Sequence, residues 1–522
     1  MSMLQIAIFV GITALIGFLT YLGCRNAPSG DRGSDKDYFL ANGGLSWYFV
    51  AGSITLTNLS TDQLVGMNGN QMLLLAWWEL AAVVGLLVLA FVFLPIYYRH
   101  NCTTTTELLQ RKYDNKHIRA LISLLFLLGN LFIFLPAILY GGSLFLKSTT
   151  GADFSPLLGE RLFVDTAVEV DSTIFVLAVA FAVIGALYAI LGGLRAVAIS
   201  DTYSGVLILT LALLVVFLAL QAIDFDFSGV PAERMDMFIG STLEDGSETP
   251  IPWHTLLTGM IFIQIFYWST NQTITQRAMA SPTIAEARKG VLAAAGIRLL
   301  IVPVIVVVPG VIAYELFGDI DDDAYGRIVG HVLPPALSGA FAAAIAAAVL
   351  TTFNSILNAS AALYVCDLHE SYIEEARDVP KLSMYVSIVM TLLAILLVPV
   401  FASQKSIINF VQQLYGLLSM PILSAFIVGL AFRNVSAWAA IIGVIMGVIV
   451  YAVFSFNLYQ YVGVTLDDGL GATLSSVHYI HYMFVTLTVS IATSLLVNAL
   501  VFGRRATLSV SIPSLAGNQP QV

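Results

Sequence analysis

The chain has 522 residues, 58% of them hydrophobic and only 11% charged, with a mean hydropathy of +0.87 and a formal charge of −10. A soluble domain carries about 25% charged residues, so a water-soluble enzyme is excluded, and no nucleic-acid partner is expected. At about 20 apolar residues per spanning helix, the chain holds material for a dozen or more spans, and the whole of it reads as one membrane-embedded unit.

Thirteen long apolar segments follow one another near residues 4–23, 46–70, 74–97, 118–146, 171–192, 199–224, 254–274, 285–316, 334–366, 382–401, 407–432, 436–455 and 478–502. They are continuous runs without the ten-residue alternation of barrel strands, so helices are the spanning solution that satisfies the backbone. The expected fold is an all-α integral membrane protein with about 13 transmembrane helices. The first segment lacks the basic leader and small-residue cleavage site of a signal peptide, and Arg25, Arg32 and Lys36 follow it; it reads as a retained span.

With the N-terminus outside, seventeen Lys and Arg fall in inner loops and five in outer loops, with Arg298 inside a span. That bias places the C-terminus in the cytoplasm and the protein in the cytoplasmic membrane. Much of the negative charge then sits in outer loops, including Asp224, Asp226, Glu233 and Asp236. A solvated outer face explains that charge, and the run Asp319 to Asp323 lacks the glycine and final glutamate of a calcium loop, so no calcium site is expected. Cys24, Cys102 and Cys366 fall on the cytoplasmic side, where disulfides are not expected. The Ser/Pro/Gly/Gln-rich end of the chain reads as a disordered tail.

A transporter, a channel and an intramembrane enzyme are the competing classes. The chain has no Gly-Lys dipeptide and hence no P-loop, so ATP does not drive it directly. His369-Glu370-Ser371-Tyr372 stops short of a metalloprotease motif. No catalytic constellation is present, and no enzyme is expected. Channel rings usually arise from repeated subunits with few spans each, which leaves alternating-access transport as the leading idea.

Polar residues inside spans sharpen it, because such groups are costly in hydrocarbon and line substrate or ion paths. Span two carries Thr55, Thr57, Asn58, Ser60, Thr61, Asp62 and Gln63, and span seven carries Gln264, Tyr267, Trp268, Ser269, Thr270, Asn271 and Gln272. Both read as interrupted helices. Paired interruptions in corresponding positions of two halves point to an inverted-repeat transporter with a midplane site; interhelical hydrogen-bonding glue is the plainer alternative. In span nine, Ala348, Thr351, Thr352, Ser355 and Asn358 share one helix face. Two hydroxyls there and freed carbonyls of an unwound partner suit a monovalent cation, whereas a small-residue packing stripe is the commoner reading of such a face.

Five motifs, Asp37-Tyr38-Phe39-Leu40-Ala41, Leu56 to Gln63, Gly192-Gly193-Leu194-Arg195-Ala196 with Asp201, Tyr267-Trp268 to Gln276-Arg277, and Thr351 to Asn358, occur in order between residues 37 and 430. Together they resemble the solute:sodium symporter family, closest to its bacterial sodium/glucose (galactose) cotransporter branch. The resemblance implies a LeuT-like core of two inverted five-helix repeats at 46–224 and 254–432, preceded by an extra helix and cytoplasmic loop (1–45). Two further helices (433–502) and the disordered cytoplasmic tail (503–522) follow.

By position, the family's sodium site uses backbone oxygens of Leu56, Leu59 and Ala348 and hydroxyls of Thr351 and Thr352. For the solute the resemblance implies Asn58, Gln63, Glu79, Gln264, Lys289 and Gln412, with Tyr267 as an aromatic platform. Gln264 and Ala82 depart from the asparagine and serine of the sugar transporters. Taken as residues alone, Glu79 also fits a solvated interfacial acid, Lys289 a positive-inside lysine, and Arg298 requires a partner. Asp201 is expected to begin span six, where an N-terminal cap is the favoured reading; with Thr351, Asn354 and Ser355 it also resembles a second sodium site of some relatives.

One coupled sodium ion is expected. The function implied is secondary active symport of a monosaccharide, with sialic acid, myo-inositol or an amino acid as alternative solutes, protons as an alternative coupling ion, and a channel or sensor as the rival class. A monomer embedded in the bilayer suffices for this function; the oligomeric state is open.

Overall fold

A computed structural model describes residues 3–25, 39–59, 61–164, 168–374, 378–404, 406–458 and 477–508. The motif residues Asp37, Tyr38 and Ser60 and the tail beyond Leu508 lie outside this set. The protein is helical nearly throughout. Among the described residues, ten helices are long and apolar enough to cross a membrane.

Helix α1 (Met3–Arg25) is followed by a pair, α2 (Trp47–Asn58) and α3 (Thr61–Gly69), in place of one continuous span. The helix α2 ends because Leu59 leaves the helical region at φ −77°, ψ 68°, while its N–H still reaches the carbonyl of Thr55 at 3.0 Å. Thr55, Thr57 and Asn58 weaken the last turn, since β-branched and short polar side chains give up little by leaving a helix.

The next helices are α4 (Leu73–His100) and α5 (Lys116–Thr150). Each contains one π-helical turn, Leu89–Phe93 and Asn130–Phe134. Pro95 and Pro136 follow these turns by two residues. A proline cannot donate and clashes with the carbonyl four residues back, and the widened turn accommodates both effects.

Expected spans five and six are joined through helical backbone rather than a loop: α6 runs from Ser172 to Ala222. At 1.5 Å per residue its 51 residues would span about 76 Å, more than twice a hydrocarbon core of about 30 Å. Asp201 therefore lies well inside a helix, not at a helix start. The capping reading fails because no free first-turn N–H groups exist there.

The second interrupted segment comprises α7 (Met260–Ser269) and α8 (Gln272–Met279). Asn271 starts α8 by accepting the N–H of Thr273 on its Oδ1 at 2.9 Å, a local cap that competes with continuing α7. Helices α9 (Ile284–Phe317), α10 (Pro335–Tyr372), α11 (Val379–Ala402), α12 (Ile407–Ala431), α13 (Ala437–Ser455) and α14 (Tyr479–Leu500) complete the bundle.

α2 packs on α6 and α9, α4 on α7 and α9, α6 on α10, and α12 on α13 and α14. The two interrupted pairs thus occupy the centre of the molecule. The expected disordered tail needs one correction. Thr507–Leu508 pairs antiparallel with Phe432–Arg433, because Gly503 at φ +62° turns the chain back after α14.

Candidate functional site

Close approach of α4 and α7 sets the geometry of the site. A Cβ built on Gly85 would fall 2.3 Å from the carbonyl oxygen of Gln264, so only glycine lets these two backbones meet. Tyr97, further along α4, donates to the carbonyl of Ser269 at 2.9 Å. With the helices so fixed, a narrow cavity of about 30 Å³ remains between the interrupted pairs and α12.

Its walls come from six helices. Asn58 ends α2, Gln63 and Met67 come from α3, and Trp78, Glu79 and Ala82 from α4. The helix α7 contributes Ile263, Gln264, Tyr267 and Trp268, and α5 contributes Phe134. From α12 come Ile408, Val411, Gln412 and Tyr415, the i, i+3, i+4, i+7 spacing of one helix face. Gln413 points elsewhere, donating to the carbonyl of Ser455 at 2.9 Å.

The polar lining is joined into a chain. Asn58 Nδ2 donates to the Tyr267 hydroxyl at 3.1 Å, and Gln63 Nε2 donates to Asn58 Oδ1 at 3.2 Å and to Glu79 Oε1 at 2.8 Å. The other carboxylate oxygen of Glu79 pairs with Arg298. The Arg298 guanidinium lies 4.3 Å from the ring centroid of Trp268 and donates to the Thr55 carbonyl at 3.3 Å. Gln264 bridges α7 to α4, donating to the Trp78 carbonyl at 2.9 Å and accepting from Trp268 Nε1 at 2.8 Å. Glu79 is 1% exposed and Arg298 0%, so neither is an interfacial charge.

Six of the seven solute residues expected from the sequence line this one cavity. The seventh does not. Lys289 is 64% exposed and faces Glu286 at 3.5 Å. Arg298 lies nine residues further along α9, and at about 100° per residue that is half a turn away, so the two point to opposite sides of the helix. The cation of the site is Arg298, and its partner is Glu79. Phe134 and Tyr415 also belong to the site, their rings 4.7 Å apart and T-shaped; their apolar surroundings gave no sequence signal.

A smaller cavity adjoins the first through Asn58, Phe134 and Tyr267, and adds Thr57, Ile138, Asn271, Thr273, Thr352 and Ile356 to its lining. It places Thr352 of α10 against the end of α2. The Thr352 hydroxyl is buried and has no hydrogen-bond partner. The Thr351 hydroxyl donates to the Ala348 carbonyl at 3.2 Å, and Leu56, Leu59 and Ala348 are all fully buried. The expected sodium ligands thus lie on elements that pack together, and neutral oxygens of this kind suit a small hard cation.

Asp201 sits nearby. Its Oδ2 accepts from Ser53 at 2.6 Å and Thr57 at 3.4 Å, and the Thr351 hydroxyl is within its reach. Arg277 of α8 stands 3.7 Å away, donates to Ser53 at 2.7 Å and bonds the Ser355 hydroxyl and the Thr273 carbonyl. Ser355 also donates to the Thr351 carbonyl at 2.6 Å, and Asn354 is buried with its Nδ2 unpartnered. The expected second ion site thus has the Arg277 guanidinium beside its carboxylate, a partner that the sequence position of Arg277 did not disclose.

The model of the sodium:solute symporter family matches residues 38–447. The chain is 32% identical over 474 residues to the uncharacterized symporter YidK of Escherichia coli (strain K12), covering 87% of this chain and 79% of that protein. It is 28% identical to the sodium/glucose cotransporter of Vibrio parahaemolyticus (85% and 82% covered) and 25% identical to the human sodium/myo-inositol cotransporter 2 (91% and 74% covered). Among solved structures, a Na+-coupled sialic acid symporter in a substrate-bound outward-open state matches with a TM-score of 0.73 at 17% identity, over 96% of this chain and 98% of that one. That likeness establishes the fold as the LeuT-like transporter bundle. Membership carries with it a multi-pass membrane transporter, not an enzyme, that couples the movement of a small solute to sodium. The chain belongs to the sodium:solute symporter family.

Proposed function

We propose that the protein imports a neutral polyhydroxylated solute, a monosaccharide of the glucose or galactose type, with one sodium ion across the cytoplasmic membrane. The single observation carrying this reading is the charge balance of the cavity. Its one carboxylate, Glu79, is paired with the one buried cation that reaches it, Arg298, which leaves the amides of Asn58, Gln63, Gln264 and Gln412 and the hydroxyl of Tyr267. Sugar hydroxyls donate and accept, as these groups do, and the aromatic face of Tyr267 complements a ring. The sialic acid and amino acid alternatives carry a carboxylate that would compete with Glu79 for Arg298. A cyclitol has the same neutral hydroxyl chemistry as a sugar, and the likeness to a myo-inositol cotransporter makes it the second candidate.

In this reading sodium sits between Leu56, Leu59 and Ala348 carbonyls and the Thr351 and Thr352 hydroxyls, joining α10 to the broken end of α2 and favouring the outward-open state. Solute binding then closes the outer side, and inward opening parts the two elements. Arg277 beside Asp201 and Ser355 supports one coupled ion. One charge moving down about 100 mV yields roughly 2.3 kcal/mol, which sustains roughly forty-fold accumulation before the sodium gradient adds to it. The excess of basic residues in alternate loops supports an external N-terminus, and the two interrupted pairs support repeats at 46–224 and 254–432.

The test is uptake of labelled glucose, galactose, myo-inositol, sialic acid and amino acids into proteoliposomes with and without a sodium gradient. Saturable, sodium-dependent accumulation of a neutral sugar or cyclitol is expected. Accumulation of only an acidic or zwitterionic solute, or sodium conduction without accumulation, overturns the proposal.

A further inference from the structure

The corner where α13 begins and α14 ends carries three arginines, Arg433, Arg504 and Arg505, all exposed. Their backbone is held by a buried amide. Asn498 Nδ2 donates to the carbonyls of Asn434 at 3.1 Å and Arg504 at 2.8 Å, and its Oδ1 accepts the N–H of Ser436 at 2.7 Å. Asn434 donates in turn to the Arg505 carbonyl at 3.1 Å, and Arg433 faces Thr507 in the short antiparallel ladder. Two separate loops are thereby locked together, which brings the backbones of the three arginines to one corner.

Several basic residues at other helix ends have acidic partners: Arg111 pairs with Glu107, Arg119 with Asp367 and Lys289 with Glu286. Among the described residues, none of the three arginines is in an ion pair. No acidic side chain occurs in 432–438 or anywhere in 498–522. Their charge is locally uncompensated. In the adjoining helix end, Glu370 and Glu374 flank Tyr372 in sequence, and Lys116 stands 4.6 Å over that ring.

The surroundings are apolar. Trp438 at the start of α13 is 49% exposed, and Leu500, Val501 and Leu508 are more exposed still. His117 bridges Trp438, its ring 5.5 Å away, and the Tyr372 hydroxyl at 2.6 Å, which fixes the aromatic edge of the corner. Ends of membrane helices lie at headgroup depth, where tryptophan is favoured. A soluble anion needs the guanidinium groups alone; an anionic lipid needs both the cations and the apolar rim.

We propose that this corner binds the phosphate headgroup of an anionic phospholipid, with Arg433, Arg504 and Arg505 around the phosphate and Trp438, Leu500, Val501 and Leu508 against the acyl chains. Guanidinium groups grip phosphate oxygens in pairs, and basic clusters flanking membrane helices draw anionic lipid. The lipid would tie α13 to α14, the two helices that back α12 and its Gln412.

The experiment is native mass spectrometry of the purified full-length protein titrated with phosphatidylglycerol, phosphatidylcholine or inorganic phosphate, beside the triple variant Arg433→Gln/Arg504→Gln/Arg505→Gln. Wild type is expected to retain phosphatidylglycerol about tenfold more strongly than phosphatidylcholine, and the triple variant to lose that preference. Millimolar inorganic phosphate should not displace the lipid. Equal retention of the two lipids by wild type, an undiminished preference in the variant, or displacement by phosphate each overturns the proposal. Sodium-dependent uptake by the variant in phosphatidylcholine vesicles verifies that it is folded; if uptake is lost, Arg505→Gln alone is measured in the same way and is expected to weaken the preference.

Discussion

Glu79 of α4 and Arg298 of α9 form an ion pair in the interior of the bundle, with no more than 1% of either side chain exposed. Taking two ions out of water is expensive, and removing one partner strands the other. Arg298→Ala or Glu79→Ala should lower stability by about 3–5 kcal/mol and abolish uptake. The double variant Glu79→Gln/Arg298→Gln should recover much of the stability but none of the uptake. Thermal unfolding in detergent, read beside proteoliposome uptake, separates the two effects.

Thr352→Ala removes a buried hydroxyl that has no protein partner, so no internal hydrogen bond is lost and the protein should fold normally. The sodium concentration for half-maximal uptake should rise about tenfold, the equivalent of about 1.4 kcal/mol. Thr352→Ser should stay near wild type. A sodium titration of initial uptake rates reads this directly, and an unchanged requirement in the alanine variant would remove the hydroxyl from the ion site.

Lys289→Gln tests the helix-face argument. An exposed lysine beside Glu286 contributes little to stability, within about 0.5 kcal/mol, and Gln at this position should leave both melting temperature and KM for solute unaltered.

Tyr267→Phe keeps the ring contacts with Trp268 and Tyr415, at 5.1 and 5.9 Å between centroids, and deletes only the hydroxyl that accepts from Asn58. KM for solute should rise several-fold with the maximal rate maintained. A fall in maximal rate at constant KM would mean that the hydroxyl acts in conformational change instead of binding.

Asp322, in the turn between α9 and α10, is almost fully buried against Gly69 and accepts the N–H of Ile407 at 3.0 Å. Burial pushes its carboxyl up to about 7 from 3.8, helped by Asp321 and Asp323. A raised acid binds its proton more tightly in the packed state. Its contribution to stability is therefore full below about pH 4 and is lost as pH climbs through about 7. Between pH 5 and 8 the melting temperature of wild type should fall by several degrees relative to Asp322→Asn, which keeps an acceptor and does not titrate.

The helical fold and both interruptions were legible because hydrocarbon admits few backbone solutions, and a polar run such as Thr55 to Gln63 inside an apolar segment has few explanations. Gln412 could be told from Gln413 by the family pattern alone, and the face it occupies agrees. Lys289 is exposed and lies outside the cavity lining, since the helical phase of α9 points it outward, and likeness by position carries no information on that phase. Arg298 was visible as an intramembrane charge requiring a partner, but Glu79 read equally as an interfacial acid, so their pairing appears only where α4 and α9 meet. The occupancy of Asp201 by Arg277 was not, since α6 and α8 meet only in three dimensions, and the helical continuity of α6 through Asp201 carried no composition signal.

The contacts from Asn58 to Tyr267 and from Gln63 to Glu79 also matter on the return stroke. A carrier that has delivered its cargo must swing back with its binding groups in a dry interior, and bare amides there would raise the barrier. Here those groups clasp one another, so the unloaded swing leaves few dipoles stranded. If the solute is the sugar proposed above, discrimination becomes a matter of exchange, in which a molecule enters when its own hydroxyls replace these clasps one for one.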